Sequence, residues 1–213
     1  MKRKFIPTAR RMLGLVLPLL FAPPLVARET LSVAWSHWPP FSQIAADGTL
    51  GGLDVTLTRQ ILGKAGVEPA FRNLPWARAL YLMERQQLDV AMGALKTPER
   101  ERFARFSAPY RRASFVLLSQ RPQAGEPDGV IMEWQYARYR LGQLGASDAI
   151  QCQVLLHQQP VRLMFAKEAV NDEALARIDA AIATLPSPDP AFAPPRCRQD
   201  ATRTPSLSTP SAP

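Results

Sequence analysis

The sequence predicts an α/β fold, with a doubly wound sheet followed by a shorter and less regular C-terminal part. Three observations predict it. Short β-prone runs alternate with segments whose apolar residues recur at helical spacing, the pattern of a parallel sheet with both faces covered. The 213 residues and 46% hydrophobic content suffice for one ordinary domain or two small lobes. Beyond Ser119 the regular alternation thins, so little chain remains for a second lobe.

The first 27 residues read as a secretory leader. A basic start (Lys2, Arg3, Lys4, Arg10, Arg11) precedes the apolar run from Met12, and Leu25-Val26-Ala27 offers a small residue for cleavage. The competing reading is a membrane anchor, but a spanning helix needs about 20 apolar residues. This run is shorter and carries Pro18, Pro23 and Pro24. Export into the periplasm is therefore expected.

Leu31–Trp35 is a short apolar, β-prone run stopped by Pro39-Pro40 and reads as a strand. Asp47-Gly48 and Gly51-Gly52 mark a turn. Leu53, Leu57 and Ile61 share one helical face, closed by Gly63 or Gly66, with Asp54 as a candidate cap. Glu68–Arg72 returns as a strand, and Trp76, Leu80 and Met83 mark a second helix after Pro75. Leu88–Met92 and Ser114–Leu118 are the next strands.

Arg121–Asp128 is a polar Pro/Gly stretch, Gly129–Glu133 a short strand, and Gln135–Leu144 helical. Val161–Ala166 is again strand-like. Asn171 or Asp172 caps a last helix with Leu175, Ile178, Ile182 and Leu185 on its inner face. From Pro186 onward come eight of the 21 prolines with few large apolar groups, a tail expected to be disordered. The expected organisation is thus 1–27 leader, 28–118 first lobe, 119–160 shortened second lobe, 161–185 return strand and helix, and 186–213 tail.

The formal charge of +8 invites a nucleic-acid reading. Five of those charges belong to the leader, and the later basic residues alternate with acids, as in Glu99-Arg100-Glu101-Arg102. That is a solvated surface rather than a phosphate-tracking stripe, so no nucleic-acid partner is expected. His37 and His157 are isolated and no metal-ligand spacing occurs, so neither metal nor cofactor is expected. An oxidising compartment permits a disulfide between Cys152 and Cys197, though nothing in the sequence brings them together.

Five motifs then fall in register over Leu31–Leu118: Trp38-Pro39-Pro40-Phe41; Gly52-Leu53-Asp54-Val55; Pro75-Trp76-Ala77-Arg78; Leu88-Asp89-Val90-Ala91-Met92-Gly93; and Thr97-Pro98-Glu99-Arg100 followed by Phe106-Ser107 and Pro109-Tyr110. Together they resemble the N-terminal lobe of the bacterial extracellular solute-binding proteins of family 3, the polar amino-acid receptors of ABC importers. Asp128–Glu133 and Pro160–Lys167 are similar, more faintly, to the family's second lobe and its return strand. The resemblance implies a periplasmic-binding-protein fold, a small amino-acid-like ligand, an inner-membrane ABC permease as partner, and a monomeric receptor without enzymatic activity. The departure is the short Arg121–Pro127 connection, where the family places about half of its second lobe.

A cleft for a carboxylate-bearing ligand needs a cationic fork, and the resemblance puts Arg100 there. A guanidinium grips a carboxylate through two parallel hydrogen bonds, which an ammonium cannot reproduce. Thr97 adds a hydroxyl, Gly93 lets the backbone approach the ligand, and Trp38 and Trp76 supply flat walls. Arg78 either reaches the cleft or pairs with an acid. Glu133 stands where the family has the acid that accepts a ligand ammonium, and Lys96 departs from the family's small hydroxyl residue. Two alternatives stay open: a degenerate copy that binds nothing tightly, and a dehydratase-like enzyme, for which Glu133 is the only visible acid or base.

Overall fold

The structure is a computed structural model that describes residues 29–120, 129–147, 150–186, 193, 197 and 199–200. The expected leader, the Arg121–Asp128 stretch and most of the tail lie outside the described residues.

The chain runs β1 (Glu29–Trp35), β2 (Gln43–Ile44), β3 (Leu50–Gly51), α1 (Leu53–Lys64), β4 (Val67–Asn73), α2 (Trp76–Glu84), β5 (Val90–Leu95), α3 (Pro98–Glu101), β6 (Ala104–Gln120), β7 (Gly129–Glu133), α4 (Trp134–Gln143), β8 (Ile150–Ala166), α5 (Asp172–Ala183) and β9 (Gln199–Asp200). The main sheet has the order β4-β1-β5-β8-β6-β7, with β9 added to β8.

β4, β1 and β5 are mutually parallel, as two helical crossovers require. The expected all-parallel sheet is not what forms. β8 lies antiparallel to both β5 and β6, and β6 antiparallel to β7. β5 and β6 both run opposite to β8 and so point the same way, but β8 lies between them, and the short connection through α3 brings the chain back without pairing the two. The expected strands Ser114–Leu118 and Val161–Ala166 are pieces of two 17-residue strands that cross from one lobe to the other. Pro109 is tolerated inside β6 because the ladder shifts register on both sides of it.

The α/β core has two faces. On one, α1 and α5 press Val55, Ile61, Leu62 and Ile178 against Val33, Val90, Leu163 and Phe165. On the other, Ala79, Leu82 and Met83 of α2 cover Ala34, Ala91 and Met164. Asn171 caps α5 by accepting from the Ala174 N–H at 2.8 Å, as its sequence position predicts.

The second lobe has a separate, small cluster: Val116, Leu118, Ala137 and Cys152, with Met132, Trp134 and Leu155 against them. Four buried side chains contribute only a few kcal/mol. A covalent tie supplements them. Cys152 and Cys197 form a disulfide with Cα atoms 4.8 Å apart, and Gln199 and Asp200 pair with β8 as β9. A tail without structure is therefore incorrect at these positions, because the crosslink returns the chain to the sheet. Closing a span of 45 residues, the bond should contribute about 2–4 kcal/mol. Replacing both cysteines by serine should lower the urea midpoint accordingly and speed proteolytic nicking of the second lobe.

Candidate functional site

The site grows from the loop after β1. Its turn is closed by Phe41 N–H and Ser42 N–H donating to the Trp38 carbonyl at 2.9 and 3.0 Å, and by the Ser42 hydroxyl donating to the Ser36 carbonyl at 2.6 Å. Phe41 is thereby buried, while Trp38 stays 47% exposed beside it with ring centroids 5.2 Å apart. The start of α1 locks onto this turn. Leu53 N–H donates to the Pro40 carbonyl and Asp54 N–H to the Phe41 carbonyl, both at 3.0 Å. Only glycine fits at 52, since its φ is 115° and a Cβ would stand 2.4 Å from the Phe41 oxygen.

β5 carries a bulge at Gly93, whose φ is 74° and whose N–H donates to the Tyr110 hydroxyl at 3.0 Å. The one-turn α3 then sets Arg100. Thr97 caps it through its hydroxyl, which accepts from Arg100 N–H at 3.3 Å. The Arg100 side chain bends back, donates to the Leu95 carbonyl at 2.7 Å and lies 5.3 Å from the Trp76 ring. A guanidinium anchored at one nitrogen and stacked on an indole keeps its remaining N–H groups for a ligand.

These pieces enclose a cavity of about 440 Å³ lined by fourteen residues, among them Trp35, Trp38, Trp76, Met92, Gly93 and Arg100. It sits at the carboxyl ends of β1 and β5, where ligands collect on open α/β sheets. Every lining residue falls between 34 and 100, in the first lobe.

Of the seven residues the sequence singled out, the structure brings Trp38, Trp76, Gly93 and Arg100 to this cavity. Three lie elsewhere. Thr97 caps α3 and is not among the residues lining the cavity. Arg78 is exposed on α2 with its guanidinium 5.1 Å from the Tyr81 ring, the Arg85 guanidinium also standing over that ring. Glu133 is the N-cap of α4, accepting from Tyr136 N–H at 2.9 Å. Lys96 points to the surface and pairs with Glu101.

Burial raises the Glu133 pKa above its ordinary 4.5, against the lowering effects of the Tyr136 N–H and the nearby Arg111. The folded state then holds the proton more tightly than the unfolded chain. This group's contribution to stability is therefore greatest below 4.5 and declines as pH rises through the raised value. In Glu133→Gln that decline should vanish, so urea midpoints of the two proteins should diverge in slope across that acid range.

Sequence reasoning missed the electrostatic centre beneath the cavity floor. Asp54, read as a cap, instead receives a bidentate pair from Arg111, Nε to Oδ1 at 2.6 Å and Nη2 to Oδ2 at 2.8 Å, with both side chains 3% exposed. The actual N-cap of α1 is Gly52, without a side-chain bond. Burial pulls the Arg111 pKa down, but Asp54 more than reverses this and keeps it charged. Arg111 also lies 4.3 Å from the Phe41 ring, so one guanidinium ties α1, β6 and the β1 loop together. A signal existed: Asp54 occupies the same helical face as Leu57, Thr58 and Ile61, all buried.

A second hollow of about 360 Å³ lies between the β1 loop and α4, lined by His37, Trp38, Pro39, Tyr136, Tyr139, Arg140 and Gln143. Across it the Tyr139 hydroxyl donates to Gln43 Oε1 at 3.3 Å. Among the described residues no group of three His, Cys, Asp or Glu is placed to hold a metal ion, and no helix is long and apolar enough to cross a membrane.

Residues 31–188 match the sequence profile of the bacterial extracellular solute-binding proteins, family 3. The L-cystine-binding protein TcyJ of Escherichia coli strain K12 is 28% identical over 89 residues, 41% of this chain. The match spans about a third of that relative, 34% of its length. Among solved structures, the L-cystine solute receptor of Neisseria gonorrhoeae in the unliganded open conformation superposes with a TM-score of 0.60 at 20% identity, covering 73% of this chain and 86% of the receptor. The arginine-bound form of truncated ArgBP from T. maritima gives 0.58 at 18% identity, covering 73% and 96%. These structures share the fold.

Proposed function

The chain belongs to the bacterial extracellular solute-binding proteins of family 3, and on that basis we propose that it is a periplasmic, monomeric, non-enzymatic receptor for a small carboxylate-bearing solute. An amino acid or a related carboxylate is the ligand class, and an inner-membrane ABC importer is the partner that receives it. The observation that carries this reading is Arg100, half-buried, anchored to Leu95 and stacked on Trp76 at the wall of a 440 Å³ cavity. The L-cystine-binding relative and the arginine-bound neighbour are named for ligands that carry a carboxylate, which agrees with a guanidinium at that wall.

A second reading has its own support. All lining residues come from the first lobe, and the second lobe's cluster has four buried side chains. A ligand held by one jaw keeps its outward polar groups in water, where each hydrogen bond is worth little net. Such a receptor binds weakly or not at all. The enzyme alternative is left without its acid, because Glu133 caps α4 and does not line the cavity.

A thermal-shift screen of the mature chain against amino acids and small carboxylates decides between these. A receptor rises in Tm with one ligand class, as mass action requires. A flat response to every solute at millimolar concentration supports the degenerate copy, and product formed from a bound solute supports an enzyme.

A further inference from the structure

We propose that the cavity selects an aromatic carboxylate lacking an α-ammonium group over the corresponding amino acid; this rests on the receptor reading of the same site. An amino acid brings one negative and one positive group, and each needs a complementary charge or a set of acceptors. The cavity supplies the cation in Arg100, and among the described residues no acid forms an ion pair with it.

Among the described residues the matching anion is absent from the lining. The one acid there is Asp54, 2% exposed, with both carboxylate oxygens already accepting from Arg111 at 2.6 and 2.8 Å. That pair is neutral as a unit, so it leaves no lining carboxylate free to receive an ammonium. Glu133, the acid that the family resemblance assigns to the ammonium, accepts from the α4 backbone and lies outside the lining.

The remaining acceptors are uncharged, weaker partners for an ammonium than a carboxylate, and several already accept: the Leu95 carbonyl receives Arg100, the Trp35 carbonyl receives Leu74 N–H, and the Phe41 carbonyl receives two N–H groups of α1. What the cavity offers instead is apolar surface: Trp35, Phe41, Leu74, Met92 and the half-exposed indoles of Trp38 and Trp76. A flat ring covers those indoles while its carboxylate reaches the guanidinium, and nothing in the ligand then needs a missing partner.

The test is isothermal titration of the full mature chain with matched pairs: 3-phenylpropanoate against L-phenylalanine, and indole-3-propanoate against L-tryptophan, with phenethylamine and hexanoate as controls. The expected result is at least about tenfold tighter binding of each des-amino acid than of its amino acid, weaker binding of hexanoate, no heat from phenethylamine, and loss of the des-amino acid signal in Arg100→Ala. Equal or tighter binding of the amino acids overturns the selectivity while leaving the receptor reading in place. Silence from all the carboxylates and amino acids overturns both.

Discussion

Arg100→Ala should weaken binding of the cognate carboxylate by about ten- to a hundredfold, read as loss of the ligand-dependent rise in Tm. The expectation follows from what the side chain does in the folded protein. One nitrogen is spent on the Leu95 carbonyl at 2.7 Å, which fixes the plane of the guanidinium, and the stack on Trp76 keeps it from swinging into water. A charge-assisted pair of hydrogen bonds from such a preset fork contributes about 1.5–3 kcal/mol, and 1.4 kcal/mol is about tenfold in affinity. Arg100→Lys keeps the charge but not the fork, so it should recover only part of the loss. The unliganded Tm should stay close to that of the parent, because Arg100 is half-buried and carries no core packing. Full ligand response in Arg100→Ala would remove this residue from the site.

The largest effect on stability is expected at Asp54 and Arg111. Substituting either partner alone by alanine should cost about 3–5 kcal/mol in urea unfolding, because the remaining charge sits where both side chains are 3% exposed. The double replacement Asp54→Leu with Arg111→Met removes both charges and should regain much of that loss. It therefore separates the electrostatic account from simple failure to pack. If the double variant is as unstable as the worse single one, packing of Arg111 on Phe41 outweighs the charge pairing. Both single variants should also disturb ligand response, since Asp54 forms part of the cavity lining.

Where the sequence was legible, local periodicity or a local motif carried the information. Leu57 and Ile61 in α1, Ile178 and Ile182 in α5, and the Asn171 cap were readable because each depends on residues within a turn or two. Arg100 was singled out by the family resemblance of Thr97-Pro98-Glu99-Arg100, a local motif that forms the one-turn α3. The long strands were not, because Pro109 and Pro160 look like ends when read along the chain and become tolerable only once a bulge or a partner strand is known. The antiparallel placement of β8 between β5 and β6 is a choice among non-local pairings that no window of sequence contains. The Asp54–Arg111 pair, 57 residues apart, and the Cys152–Cys197 bond, 45 apart, were hidden for the same reason. Glu133 was placed by analogy with a complete second jaw, and Arg78 by the first-lobe motif that opens α2. In this chain the acid finishes the end of its own helix instead, and the arginine stays on the surface of α2.

β6 and β8 stay paired from Ala104 beside Ala166 to Gln120 beside Ile150, with the register shifting at four places, so the two lobes share one two-stranded ribbon rather than a pair of loose tethers. Such a ribbon behaves as a leaf spring. Bending such a ribbon spreads the deformation over many ladder bonds instead of one hinge residue. The cavity's walls come wholly from residues 34–100, which precede that ribbon in the chain, so bending the ribbon need not reshape them.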